Sequence, residues 1–390
     1  MNAGMAKLVD ALDLGSRVAR RMGSSPFTRT AKDHCSVERW SFLFSINMLD
    51  MFNSVIINGN HFDLPSDEAF NSDFCGEFLR EWCNDNDYVA GHSSGSTGAP
   101  KQMKLSKMSM IESARRTNSF FGLKKHDNIL LCLSTDYIAG KMIVVRALAG
   151  GLNLIATKPS SKPNWNGKVK FAAMVPMQVH ELLLTDEGRS LLKNIEILII
   201  GGSPLDQETM ADLFSLGGPR CFVTYGMTET LSHIAVAEIA KFGQLVYKAL
   251  PDVRFSVDGR ECLVANVPYI QSAPFVTNDV VELVDDKSFL WKGRFDNVVI
   301  SGGVKLFPET IERKISHLFD RRFYMTWMHD PKLGQKLVLK IEDLPWTAAN
   351  VDSLLSSVSK CVDRYEMPRD VLFSEKFEET SSGKVIRKPV

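Results

Sequence analysis

Between Asn128 and Ile200 the chain alternates short runs of Ile, Leu and Val with segments of helical spacing, and this alternation restricts its fold more than any other feature. Ile129 to Leu133, Leu152 to Ala156, Phe171 to Val175 and Ile195 to Ile200 read as strands, with Ile138 to Ala149 as a helix between the first two. Runs that are apolar at nearly every position need cover on both faces. Parallel strands flanked by helices have it, so an α/β layered domain is expected. Ile200 runs directly into Gly201-Gly202-Ser203-Pro204, and Val223-Thr224 into Tyr225-Gly226-Met227. Both segments fall at carboxyl ends of strands, where open parallel sheets bind ligands.

After Pro251 the pattern becomes rich in turns, with Val253 to Val257, Cys262 to Val264 and Val280 to Val284 alternating around Asp258-Gly259 and Asp285-Asp286. A small antiparallel unit is expected there. Beyond Arg294, Pro308 opens a helix whose Ile311, Ile315 and Leu318 share one face. Phe323 to Met328 and Lys336 to Ile341 read as strands, and Val351, Leu355, Val358 and Val362 mark a last helix. The resulting layout is a large amino-terminal domain over residues 48–295 and a small α+β domain over 296–390.

With 390 residues and 44% hydrophobic content, the chain can bury two cores. Lys plus Arg equals Asp plus Glu at 46 each, which gives no bulk electrostatic support for nucleic acid or an anionic membrane. The apolar stretch Trp40 to Phe52 is broken by Ser45, Asn47 and Asp50 and falls short of the roughly 20 residues a span requires. The seven cysteines are scattered without a C-x-x-C pair, which speaks against a disulfide framework or zinc site and for a reducing, cytoplasmic setting.

Ser93-Ser94-Gly95-Ser96-Thr97-Gly98-Ala99-Pro100-Lys101 gathers small hydroxyls, two glycines and a lysine. Such a loop suits polyphosphate, because glycines let successive N–H groups approach anionic oxygens while hydroxyls and the lysine add donors. The spacing is not that of the G-x-x-x-x-G-K-[ST] loop, since Pro100 precedes the lysine and Gln102 follows it. Taken alone, such a run is more often a flexible loop.

Four further segments follow in order: Gly201 to Pro204; Tyr225-Gly226-Met227-Thr228-Glu229-Thr230; Gly293-Arg294-Phe295-Asp296-Asn297 leading into Ser301-Gly302-Gly303; and Thr380-Ser381-Ser382-Gly383-Lys384. Together with the first loop this set resembles the adenylate-forming superfamily of acyl-CoA synthetases, over about residues 90 to 390. Tyr137-Ile138-Ala139-Gly140-Lys141 leading to Arg146, Ala172 to Pro176, and Met227 to His233 are similar to its o-succinylbenzoate–CoA ligase branch of menaquinone synthesis.

The resemblance implies an enzyme that uses ATP, Mg²⁺ and coenzyme A on a small-molecule carboxylic acid. It assigns Ser94, Gly95, Ser96, Thr97, Gly98 and Lys101 to the ATP phosphates, Thr228 to the α-phosphate and Glu229 to Mg²⁺. Gly201, Gly202, Ser203, Pro204, Tyr225 and Gly226 would line adenine, while Asp279 would meet the ribose and Arg294 the ribose or phosphate. Asn278 departs from the family's usual Thr-Gly-Asp turn. Lys384 matches the catalytic lysine on a mobile carboxyl-terminal domain, Asp296 its hinge, and Gly302, Gly303 and Lys305 the CoA tunnel. Lys141, Arg146 and His233 are the candidates for a second substrate carboxylate, which needs a cation or several donors if buried. Rival readings remain for single residues: Asp279 and Arg294 as a plain ion pair, Lys384 as a solvated tail charge. Rival functions are a different acyl-CoA ligase, a carrier-loading adenylating enzyme, and a catalytically silent nucleotide binder.

The first thirty-three residues carry Lys7, Arg17, Arg20, Arg21, Arg29 and Lys32 against Asp10, Asp13 and Asp33. An organelle transit peptide has such a balance. Met5 to Leu12 and Gly23-Ser24-Ser25-Pro26 also resemble an in-frame translation of a leucine tRNA gene. On that reading residues 1–47 are a non-native leader and the protein starts near Met48 or Met51.

Overall fold

Asn58-Gly59 starts the architecture with a two-residue turn at φ 50° and 84°, the conformation that joins antiparallel strands without splaying them. It links β1 (Ser54–Ile57) to β2 (Asn60–Asp63). The computed structural model describes residues 53–92, 102–240, 244–379 and 385–390. Two short helices, α1 (Asp67–Phe70) and α2 (Gly76–Trp82), precede a separate hairpin of β3 (Tyr88–His92) and β4 (Gln102–Ser106), in which His92 stands opposite Gln102. Ser106 then caps α3 (Lys107–Phe120) through the Ser109 N–H.

The apolar runs form the parallel layer that their composition requires. Its strands are β5 (Asn128–Leu131), β6 (Asn153–Ala156), β7 (Val169–Met174), β8 (Ile195–Ile200) and β9 (Arg220–Gly226). They lie in the order β6-β5-β7-β8-β9, and β1 joins parallel beyond β6. Between them run α4 (Ile138–Gly150), α5 (Pro176–Leu183), α6 (Asp186–Lys193) and α7 (Gln207–Leu216). Pro176 at the first turn of α5, Thr185 bonding the Gly188 N–H and Asp206 bonding the Thr209 N–H fix where these helices begin. Leu130, Ala172, Leu198 and Val223 meet Val179, Leu192 and Leu213 in one buried cluster.

The β-rich segment is antiparallel, as expected, and is joined edge to edge with the parallel layer. β10 (His233–Glu238) turns back antiparallel along β9 and continues its hydrogen-bonding edge. β11 (Val246–Ala249), β12 (Arg254–Val257), β13 (Cys262–Asn266), β14 (Phe275–Asp285) and β15 (Ser288–Arg294) extend the ladder in the order β10-β11-β15-β14-β13-β12. Among the described residues one sheet of thirteen strands results, because β11 pairs with β15 and bridges the two parts.

Sheet pairing stops at Arg294. Beyond it, β16 (Val299–Ser301), β17 (Val304–Leu306), β18 (Phe323–Asp330), β19 (Gly334–Glu342) and β20 (Asp370–Ser374) form a second sheet with β19 at its centre. Helices α8 (Pro308–Ile315) and α9 (Ala348–Val358) cover it with Ile311, Ile315, Leu354 and Val358. Leu354 takes the buried face of α9, and Val362 lies past the helix end. No described helix is long and apolar enough to cross a membrane.

Candidate active site

At the carboxyl end of β8 the backbone turns through Gly202 at φ +93°, a conformation side chains other than glycine rarely adopt. A Cβ on Gly201 would stand 2.1 Å from Thr224 Oγ1, and Thr224 in turn donates to the Ile200 carbonyl at 3.2 Å. The ends of β8 and β9 are thus drawn together, with Gly202, Ser203 and Pro204 exposed on the rim.

One strand further, the chain leaves β9 at Gly226 and returns in β10 with His233 opposite it. The turn is tight enough that a Cβ on Gly226 would meet the Ser232 carbonyl oxygen at 2.4 Å. Buried Thr230 staples it, accepting from the Met227 N–H at 3.0 Å. Thr228 and Glu229 are displayed on this one-turn 3-10 helix, and among the described residues neither side chain has a partner. An exposed, unpaired carboxylate of this kind fits a hard divalent cation.

Asp279 on β14 lies directly opposite Arg294 on β15. Its Oδ2 accepts from the Tyr225 hydroxyl at 2.7 Å and its Oδ1 from Trp291 Nε1 at 3.2 Å. Arg294 Nη1 is 3.7 Å from the same carboxylate, and Arg294 Nη2 reaches Asp296 Oδ2 at 3.4 Å. A carboxylate has about four acceptor positions, so Asp279 retains capacity for further donors such as vicinal hydroxyls. The Tyr225 ring sits edge-on to Tyr247 and Phe289. Burial and the adjacent Asp279 charge push its hydroxyl well above the usual tyrosine range, so it stays a donor. Trp291 was not legible as a site residue. Strand alternation would put residues three apart on opposite faces, but a bulge pairs Val280 with Gly293 and Val281 with Trp291, which re-aims Trp291 toward Asp279.

Of the three residues proposed for a second carboxylate, Lys141 stands apart while Arg146 and His233 meet. Lys141 and Arg146 are five residues apart, about 140° around a helix. Lys141 faces α2, where its Nζ pairs with Glu81 Oε2 at 2.6 Å and lies 5.0 Å from the Phe78 ring. Arg146 is 2% exposed and donates from Nη2 to Ser232 Oγ at 2.6 Å. Among the described residues its Nε has no partner and no carboxylate pairs with it. Burial pulls its pKa down to about 9. His233, buried beside it, contacts Ser232 Oγ at 3.2 Å through Nδ1 and Thr117 Oγ1 at 3.5 Å through Nε2. Burial and then the Arg146 charge hold its pKa well below the ordinary histidine value. Thr117 and Asn118, whose amide donates to the Arg146 carbonyl at 3.0 Å, escaped sequence reading because α3 carries no motif.

Asp296 also accepts from Asn278 Nδ2 at 3.3 Å. Gly302 and Gly303, at φ +57° and +85°, form the two-residue turn between β16 and β17. Lys305 pairs with Glu261 Oε2 at 2.6 Å, both more than half exposed. Ser94 to Lys101 and Lys384 lie outside the described residues.

The sequence profile of the AMP-binding enzyme family matches residues 57–266. The 2-succinylbenzoate–CoA ligase of Escherichia coli strain K12 is 26% identical over 271 residues, 64% of this chain and 57% of that protein. The chain therefore spans little more than half the length of that relative. The ligase of the same name from Lactococcus lactis is 23% identical over 327 residues, covering 77% and 70%. An acyl-CoA synthetase (AMP-forming)/AMP-acid ligase II-like protein from Dyadobacter fermentans superimposes with TM-score 0.56 at 30% identity, over 81% of this chain and 93% of that one. The o-succinylbenzoate CoA synthetase of Bacillus subtilis, in complex with the acyl-adenylate, gives TM-score 0.64 at 18% identity over 79% and 72%, a likeness of fold.

Proposed function

Because the chain belongs to the AMP-binding enzyme family, we propose that it is an ATP-dependent acid–CoA ligase whose substrate carries a second carboxylate, with 2-succinylbenzoate as the acid that fits best. In the first half-reaction a carboxylate oxygen attacks the α-phosphorus of ATP, the bond to pyrophosphate breaks and an acyl-adenylate forms. In the second, the CoA thiolate adds to the acyl carbon and AMP leaves. Charge develops on phosphoryl oxygens in the first step, so donors and cations preset around them lower the barrier.

Asp279 takes the ribose hydroxyls with its spare lone pairs, Arg294 neutralises charge beside them, and the Thr228 hydroxyl donates to the α-phosphate. The Tyr225 ring and the Gly201 to Pro204 rim bound adenine on its two sides. Glu229 would hold Mg²⁺, which offsets the charge of the ATP phosphates. The Ser94 to Lys101 segment serves the β- and γ-phosphates, and Lys384 the attacking carboxylate. Gly302, Gly303 and Lys305 line the path of CoA once residues 296–390 rotate about Asp296.

The single observation that carries the choice of substrate is Arg146. A guanidinium taken out of water without an acid partner is costly, and this one keeps an unpartnered Nε in the interior beside the end of β9. An entering carboxylate would complete it. Two supports weigh with it: the two named relatives are 2-succinylbenzoate–CoA ligases, and Lys141 is already neutralised by Glu81.

The test is pyrophosphate release with Mg-ATP, comparing 2-succinylbenzoate with 4-oxo-4-phenylbutanoate, the same acid without its ring carboxylate, with CoA present and absent. Release selective for the diacid and coupled to thioester formation is expected. Equal use of both acids would remove the substrate assignment, and no release with any acid would favour a silent nucleotide binder.

A further inference from the structure

The polar chain beside Arg146 has a direction set by its two ends. A guanidinium only donates, so Ser232 Oγ accepts from Nη2 at 2.6 Å. The one Ser232 proton is then free to go to His233 Nδ1, 3.2 Å away. At the far end Thr117 Oγ1 donates to the Ser113 carbonyl at 3.2 Å, and a carbonyl only accepts. Thr117 Oγ1 therefore receives from His233 Nε2 at 3.5 Å, which puts the imidazole proton on Nε2. Thr117, His233 and Arg146 are buried and Ser232 is half-buried, so at the His233–Thr117 end, which sets the tautomer, water does not rearrange the donors.

With Nδ1 protonated instead, imidazole and guanidinium would both point donors at Ser232, whose own proton would have nowhere to go along the chain. Resting on the ligase reading above, we propose that His233 is a positioning residue: through the Ser232 hydroxyl it holds the Arg146 guanidinium in the pose that offers Nε to a substrate's second carboxylate, and Thr117 fixes the tautomer this needs. Glutamine at position 233 could mimic both ring nitrogens, accepting from Ser232 and donating to Thr117. Leucine could do neither.

The experiment uses the full chain as wild type, His233→Gln, His233→Leu and Thr117→Val. Steady-state pyrophosphate release is measured with 2-succinylbenzoate and with 4-oxo-4-phenylbutanoate, and the His233 ring nitrogens are read by long-range ¹⁵N–¹H NMR. In His233→Leu the diacid-to-monoacid ratio of kcat/KM is expected to fall about tenfold or more, mainly through KM, as the loss of a hydrogen bond to a charged group implies. His233→Gln should recover most of it. The wild-type spectrum should show a neutral ring protonated on Nε2, with the other tautomer entering in Thr117→Val. An unchanged ratio in His233→Leu, or a ring protonated on Nδ1, would overturn the proposal. Should the wild type turn over neither acid, the ligase reading fails by itself. Calorimetric titration of 2-succinylbenzoate into wild type and His233→Leu then decides this one: tighter binding to wild type supports it, and equal or absent binding overturns it.

Discussion

Arg146 brings stability and function into conflict at a single residue. Its guanidinium is buried, has Ser232 as a neutral partner and remains protonated at pH 7 although burial draws its pKa to about 9. Arg146→Met keeps much of the volume and removes the charge. By analogy with buried ionic groups replaced by apolar ones, it should raise unfolding free energy by about 1–4 kcal/mol, seen as a higher urea midpoint, while abolishing preference for the diacid. A lower midpoint would mean the charge is better compensated than its contacts show. His233 carries the pH dependence. Its native pKa lies well below the unfolded value near 6.5, so below pH 6.5 the unfolded chain binds a proton that the native one refuses. Stability is complete above that pH and declines as pH falls toward the native pKa, by up to about 1.4 kcal/mol per unit. His233→Gln should lose this component of the acid-side slope in urea titrations at pH 5 to 7, and an identical slope would assign it to other groups. Arg146 and His233 were legible in the sequence as chemistry-bearing side chains. Ser232 as their bridge was not, because a serine among turn residues gives no sign of which way its hydroxyl points.

At the scale of elements, the apolar runs announced β5 to β9 because full burial leaves a compositional trace, and Gly201 and Gly226 marked where strands end in close turns. The register of β14 and β15 left no such trace: Asp279 and Arg294 were both legible, yet the bulge that adds Trp291 to them depends on long-range pairing. The same holds for β11 bridging the parallel and antiparallel parts. The ends of β8 and β9 approach so closely that a single methyl tests their packing. Gly201→Ala places a methyl 2.1 Å from Thr224 Oγ1 and should destabilise by about 1–3 kcal/mol through overpacking. Thr224→Ala removes the colliding hydroxyl, leaving Thr224 Cβ at an ordinary 3.5 Å. The double variant should therefore be more stable than Gly201→Ala alone. If the two losses simply add, the Thr224 contact is not what demands glycine there.

Over the whole molecule, pairing in the first sheet ends at Arg294 and the second sheet begins at Val299, each sheet with its own apolar cluster. What joins the two modules is uneven. Lys305–Glu261 and Asn278–Asp296 are exposed, and pairs of that kind contribute about 0–1 kcal/mol each. Closer contact comes from α8, where the Thr310 hydroxyl donates to the Lys292 carbonyl at 2.5 Å and Arg313 lies 5.6 Å over the Trp291 ring. The two half-reactions proposed above require this boundary to be remade, with residues 296–390 presenting Lys384 in one and the Gly302-Gly303 turn in the other. Lys384→Ala should then abolish pyrophosphate release from Mg-ATP and acid, yet leave thioester formation from supplied acyl-adenylate and CoA largely intact. Gly303→Val, strained at φ +85°, should impair the second half-reaction more than the first. Parallel loss of both half-reactions in both variants would contradict a division of labour between two faces of one small module, and would instead make residues 296–390 a fixed part of a single site.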